Sequence, residues 1–190
     1  LFPDTTLFRS GSRDSYIATG HDEAKFGIPL ADIEQAFDAL RSARSVDFVG
    51  ISSHVGSQLT STADYVAAAK KTLRLATVAE AAMERPLELL DFGGGFGIDY
   101  GNGCPVAPAD FAAEVVALVR EAKREDALVL CEPGRSLVGA FGVLVATVIM
   151  EKRARPGDEP REWLLIDAGM NDLLRPALYQ ARHRIEPLDR

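Results

Sequence analysis

Only two cysteines occur among the 190 residues, Cys104 and Cys131, far apart and without the CxxC or Cys/His spacing of a zinc site. Two isolated thiols read as reduced, which points to a cytoplasmic setting. Blocks of lysine or arginine are lacking too. With 21 basic and 28 acidic residues the net charge is −7 and the pI about 5.0, a balance that argues against nucleic acid as a partner. No apolar run approaches the roughly 20 residues of a membrane span, and the first residues lack a signal-peptide layout. What is present, 47% hydrophobic and 26% charged residues, suits a globular protein in water.

The residues alternate between short apolar runs and longer helical ones. Asp32 to Arg44 carries apolar residues at Ile33, Ala36, Phe37 and Leu40, a helical spacing with Asp32 as its N-cap. Val46 to Ser52 is β-branched and apolar, as in a buried parallel strand. Thr62 to Glu84 predicts a helix halted by Pro86. Leu87 to Phe92 predicts a strand, Pro108 to Glu125 a helix and Ala127 to Cys131 a further strand. Alternation of this kind implies α/β architecture with a parallel sheet. Past Arg135 the pattern changes: Phe141 to Lys152 and Glu162 to Ile166 read as strands joined by a charged Pro/Gly turn, the start of an antiparallel β domain.

Each unusual cluster lies just after a strand. Gly93, Gly94, Gly95 and Gly97 lack the third glycine of a dinucleotide fingerprint, and no GK[ST] marks a P-loop. Consecutive glycines let backbone N–H groups turn toward one anion, or simply make a tight turn. Glu132 ends its strand three residues before Arg135, which suits either a salt-bridged loop or a carboxylate serving a cationic ring. His54 suits either a core histidine or a site residue. Asp167 to Tyr179 follows a strand-like run and sets Arg175 four residues before Tyr179, a pairing fit for a small anionic or zwitterionic ligand.

Four motifs occur together and in order: Ser53-His54-Val55-Gly56-Ser57-Gln58, Asp91-Phe92-Gly93-Gly94-Gly95-Phe96-Gly97-Ile98, Glu132-Pro133-Gly134-Arg135, and the segment ending Arg175-Pro176-Ala177-Leu178-Tyr179. In this the chain resembles the diaminopimelate decarboxylases, which depend on pyridoxal 5'-phosphate. Thr19-Gly20 and Lys25-Phe26-Gly27-Ile28 add to the likeness. The resemblance implies the later part of a (β/α)8 barrel over residues 11–138 and the beginning of a β domain over 139–190. It implies a stacking role on the cofactor ring for His54, and phosphate contacts for Ser57, for Gly93, Gly94, Gly95 and Gly97, and for Gly134. Glu132 would serve the pyridine nitrogen as a buried carboxylate, because a carboxylate there keeps that nitrogen protonated. Arg135 would serve both cofactor and substrate, and Arg175 and Tyr179 would bind substrate at its distal amino-acid end. The implied reaction converts meso-2,6-diaminopimelate to L-lysine and carbon dioxide, in a homodimer with shared active sites.

Two departures accompany the likeness. Lys25, Lys70, Lys71, Lys123 and Lys152 do not match the motif of the family's cofactor-anchoring lysine, and neither Cys104 nor Cys131 lies in its proton-donor cysteine motif. Thr5 to Ser10 also match one reading frame of a common sequencing-adapter end, so residues 1–10 are expected to be a cloning scar. The expectation is an internal fragment of an enzyme, inactive by itself. The alternatives are a decarboxylase for another amino acid or a carrier-bound acyl group, and a non-catalytic decarboxylase-like regulator.

Overall fold

The computed structural model describes residues 27–101, 106–155, 157 and 162–188. The adapter-like start, Thr19-Gly20, Lys25, Cys104 and most of the charged Pro/Gly turn lie outside them. The chain divides into two compact units, Leu1–Ala140 and Phe141–Arg190. Among the described residues no helix is long and apolar enough to cross a membrane.

The first unit runs α1 (Ile33–Ser42), β1 (Gly50–Ser52), α2 (Ala63–Met83), β2 (Leu89–Gly94), α3 (Pro108–Glu121), β3 (Leu128–Glu132) and α4 (Gly134–Val138). Its strands form one parallel sheet in the order β1-β2-β3, in register at Ile51↔Leu90 and Leu90↔Val129. Sequential parallel strands, each followed by a helix, are the repeating unit of a (β/α)8 barrel. Strand β2 lies between the other two and is buried along nearly its whole length.

Several boundaries differ from those read in the sequence, for local reasons. Strand β1 starts only at Gly50, because the Val49 carbonyl already accepts two bonds, from Glu88 and Leu89 N–H, where β2 enters. Strand β2 extends to Gly94, which pairs with Glu132 across a register shift. Asp32 precedes α1 but makes no side-chain cap; a 3₁₀ turn (Leu30–Asp32) leads into the helix instead. Helix α2 ends at Met83 because Glu84 turns left-handed, φ 53°, two residues before Pro86. In α3 the Asp110 carboxylate accepts the Ala107 N–H at 3.1 Å, which closes an otherwise open first turn.

Helix α2 packs on β1 and β2 and against α1 and α3. Its Tyr65, 1% exposed, meets Phe96 and Phe111 edge-on with ring centroids 5.4 and 5.3 Å away. Phe96 and Phe111 lie 4.8 Å apart, so the three rings form one cluster under the loop that follows β2. Arg124, just past α3, pairs with Glu80 of α2 and donates to Thr77 Oγ1 at 2.9 Å. The hydrogen bond from Arg124 holds the Glu80 carboxyl below its ordinary range.

The second unit pairs β4 (Val148–Lys152) antiparallel with β5 (Trp163–Ile166), followed by the short helix α5 (Arg175–Tyr179). Strand β4 is shorter than expected. Its pairing begins beside Thr147, where Asp167 N–H donates to the Thr147 carbonyl and the Asp167 carboxylate accepts the Thr147 N–H.

Because Phe111 is fully buried at the centre of the aromatic cluster, Phe111→Ala should destabilise the protein by roughly 3–5 kcal/mol in denaturant unfolding. A loss below about 1 kcal/mol would show that the cluster can collapse without it.

Candidate active site

The C-terminal ends of β1, β2 and β3 place three of the four motifs side by side. His54 follows β1, the glycines end and follow β2, and Glu132 closes β3. His54 Nδ1 lies 3.6 Å from Glu132 Oε2 and accepts the Gly94 N–H at 3.4 Å. The His54 side chain is 24% exposed and that of Glu132 54%. Glu132 closes β3, the edge strand of the described sheet, whose burial is only partial.

The glycines are required by crowding. At Gly93 (φ 68°) an added Cβ would lie 2.3 Å from the Ser53 carbonyl oxygen, and at Gly95 (φ 87°) 2.1 Å from that of Gly56. At Gly94 it would lie 1.9 Å from the Glu132 carbonyl oxygen. The backbone of β2 and its loop is thus wedged between the His54 loop and Glu132. Not every glycine N–H faces a ligand position. Gly93 donates to Asp91 Oδ1 at 2.8 Å and Gly97 to the Leu59 carbonyl at 3.0 Å. Gly134, where an added Cβ meets nothing within 4 Å, starts the five-residue helix α4.

Three residues support this arrangement without having stood out as site residues in the sequence. Asp91, 4% exposed, holds Gly93 N–H with one carboxylate oxygen and Ser52 Oγ with the other, at 3.3 Å. The Tyr65 hydroxyl donates to the Gly93 carbonyl at 3.3 Å and lies 3.6 Å from Cys131 Sγ. Burial above all, then the Cys131 contact and the nearby Asp91 and Glu132 charges, push the Tyr65 phenol far above its ordinary value, so it stays a neutral donor. Gln58 joins its own loop to the backbone of Ile98 and to Arg135, whose Nη1 lies 2.9 Å from Gln58 Oε1. Position offers a signal for Asp91, directly before the glycines at a strand end. Tyr65 offers none, being one apolar-face residue among many on α2.

Ser57 is half-buried in the loop between His54 and Gln58. Arg175 and Tyr179 belong to the second unit, at the two ends of α5, both half-buried and one helical turn apart.

Crowding at Gly94 yields a paired test. Gly94→Ala should lower the thermal midpoint by several degrees, since its Cβ would force β2 and β3 apart, whereas Gly134→Ala should leave it nearly unchanged. Equal effects at the two positions would contradict the close approach of β2 to Glu132.

Comparison with known proteins follows the same lines. The chain is 38% identical over 170 residues to a diaminopimelate decarboxylase of Zymomonas mobilis, covering 90% of this chain and 39% of that protein. It is 40% identical over 174 residues to one from Neisseria meningitidis, covering 92% of this chain and 41% of that protein. The chain thus spans about two fifths of the length of the relatives it matches. Among solved structures, diaminopimelate decarboxylase from Helicobacter pylori complexed with L-lysine matches with a TM-score of 0.80 and 30% identity, over 95% of this chain and 43% of that one. Residues 8–139, which include His54, the glycines and Glu132 to Arg135, match the family described as pyridoxal-dependent decarboxylase, pyridoxal binding domain. The chain belongs to the pyridoxal-dependent decarboxylases.

Proposed function

We propose that the chain supplies much of the cofactor and substrate site of an enzyme that decarboxylates meso-2,6-diaminopimelate to L-lysine, using pyridoxal 5'-phosphate. The observation that carries the reading is the meeting of His54, Gly94 and Glu132 at the ends of three parallel strands. The residues present fit such a cofactor: an imidazole, a carboxylate and a side-chain-free backbone lie within one site. Similarity to diaminopimelate decarboxylases over nearly the whole chain supports this substrate. The same reading gives residues 11–138 to the cofactor-binding barrel and 139–190 to the start of a β domain. It also implies a cytoplasmic homodimer.

Pyridoxal phosphate supplies, when bound, an electron sink for the charge left as carbon dioxide departs. Glu132 would hold a proton on the pyridine nitrogen, its carboxylate stabilising the charged form. The His54 ring would stack on the cofactor and fix its plane. Ser57, the backbone of Gly95, and Gly134 would bind phosphate, while Gly93, Gly94 and Gly97, with their N–H groups engaged by the protein, would shape the turn. Arg135 would take the substrate carboxylate that L-lysine keeps, and Arg175 with Tyr179 would serve the same distal amino-acid end. A planar guanidinium can bond a carboxylate bidentately, and the one-turn spacing on α5 presents both groups on the same side.

In the complete enzyme, Arg175→Ala should weaken productive diaminopimelate binding by roughly 1.5–3 kcal/mol, the range for a charge-assisted contact. Turnover of an amino acid with no distal carboxylate should change much less. Equal losses on both substrates, or a preference of the unmutated enzyme for ornithine, would overturn the assignment.

A further inference from the structure

One amide joins the segments that follow all three parallel strands. Gln58 lies in the loop after β1, and its Nε2 donates to the Ile98 carbonyl, after β2, at 2.6 Å. Its Oε1 accepts the Ile98 N–H at 3.4 Å and Arg135 Nη1, after β3, at 2.9 Å. This pattern fixes which way the amide points. Turned by half a rotation, its NH₂ would face two N–H donors and its oxygen would face a carbonyl oxygen. Oε1 is therefore held as a double acceptor, and Arg135 is oriented by a group that is itself oriented by the backbone of the glycine loop.

The backbone at Gln58 adds a second observation. Its φ is 59°, in the left-handed region where a non-glycine residue is uncommon. Glycine would satisfy that conformation without strain, so what the position gains from glutamine is its side chain. The amide oxygen is also neutral. It can direct a guanidinium without compensating its charge, as a carboxylate in the same place would.

We infer that Gln58 is a positioning residue for substrate binding, setting through its side-chain oxygen where the Arg135 guanidinium meets the carboxylate of the bound amino acid. The inference rests on the proposed function, which gives Arg135 its part in substrate binding. Gln58 itself touches neither substrate nor cofactor in this role. It passes the geometry of the glycine loop to Arg135, so that the phosphate end and the carboxylate end of the site are placed by one connected set of hydrogen bonds.

A double-mutant cycle on the complete, cofactor-loaded gene product tests this, with L-lysine affinity by titration calorimetry and the KM for meso-diaminopimelate as readouts. Gln58→Met should weaken L-lysine binding about tenfold, the loss of one hydrogen bond to a charged group, and raise KM with little change in kcat. Cofactor content and thermal midpoint should stay near those of the parent. In an Arg135→Ala background the same substitution should have no further effect, because its influence runs through Arg135. Should Gln58→Met fail to fold or to load cofactor, Gln58→Gly suits the φ of 59° and should show the same pattern. Losses that multiply across the cycle would overturn the role of Gln58 while leaving the functional reading in place. A parent enzyme that binds neither L-lysine nor diaminopimelate would overturn that reading and this inference with it.

Discussion

At the C-terminal end of β2 the main chain runs so close to its neighbours that no side chain fits. Carbonyl oxygens of Ser53, Glu132 and Gly56 occupy the space where a Cβ of Gly93, Gly94 or Gly95 would lie. The rest of the site depends on that approach. It brings His54 within hydrogen-bonding reach of Gly94 and sets Glu132 beside the imidazole. It also leaves a stretch of backbone without side chains at the ends of the three strands. Asp91 and Tyr65, both buried, keep the turn in place from beneath through the N–H and the carbonyl of Gly93.

The arrangement explains a division of labour among residues that look alike in the sequence. Of the four glycines after Asp91, three have their N–H groups engaged, by Asp91, His54 and Leu59, and these shape the turn. The aromatic cluster of Tyr65, Phe96 and Phe111 does comparable work with apolar surface, anchoring the glycine loop to α2 and α3. Rigid support of this kind matters for catalysis, because a site held loosely by even 1 Å loses much of its effect.

Much of this was legible in the residues. Alternating apolar and helical runs gave α2, α3 and the parallel strands, and each chemically unusual cluster fell after a strand, where α/β folds gather their sites. What escaped was decided by contacts across the fold. The late start of β1 depends on how the Val49 carbonyl is shared, and the extension of β2 to Gly94 on a register shift against β3. Helices α4 and α5 are five residues each, too short for any periodicity to show. The exposure of Glu132 could not be read from its place in an apolar strand, because it follows from the position of β3 at the edge of the described sheet. The hydrogen bonds of Gln58 link residues 40 and 77 positions apart, beyond the range of any local pattern.

The central claim is that the ends of β1, β2 and β3 form a pyridoxal phosphate site in which Glu132 serves the pyridine nitrogen. Steady-state turnover of Glu132→Gln in the complete enzyme, with bound cofactor quantified by absorbance, tests it most directly. The amide cannot hold that nitrogen protonated, so turnover should fall by roughly two orders of magnitude or more while most of the cofactor is retained. Near-normal turnover at full cofactor occupancy would contradict the account.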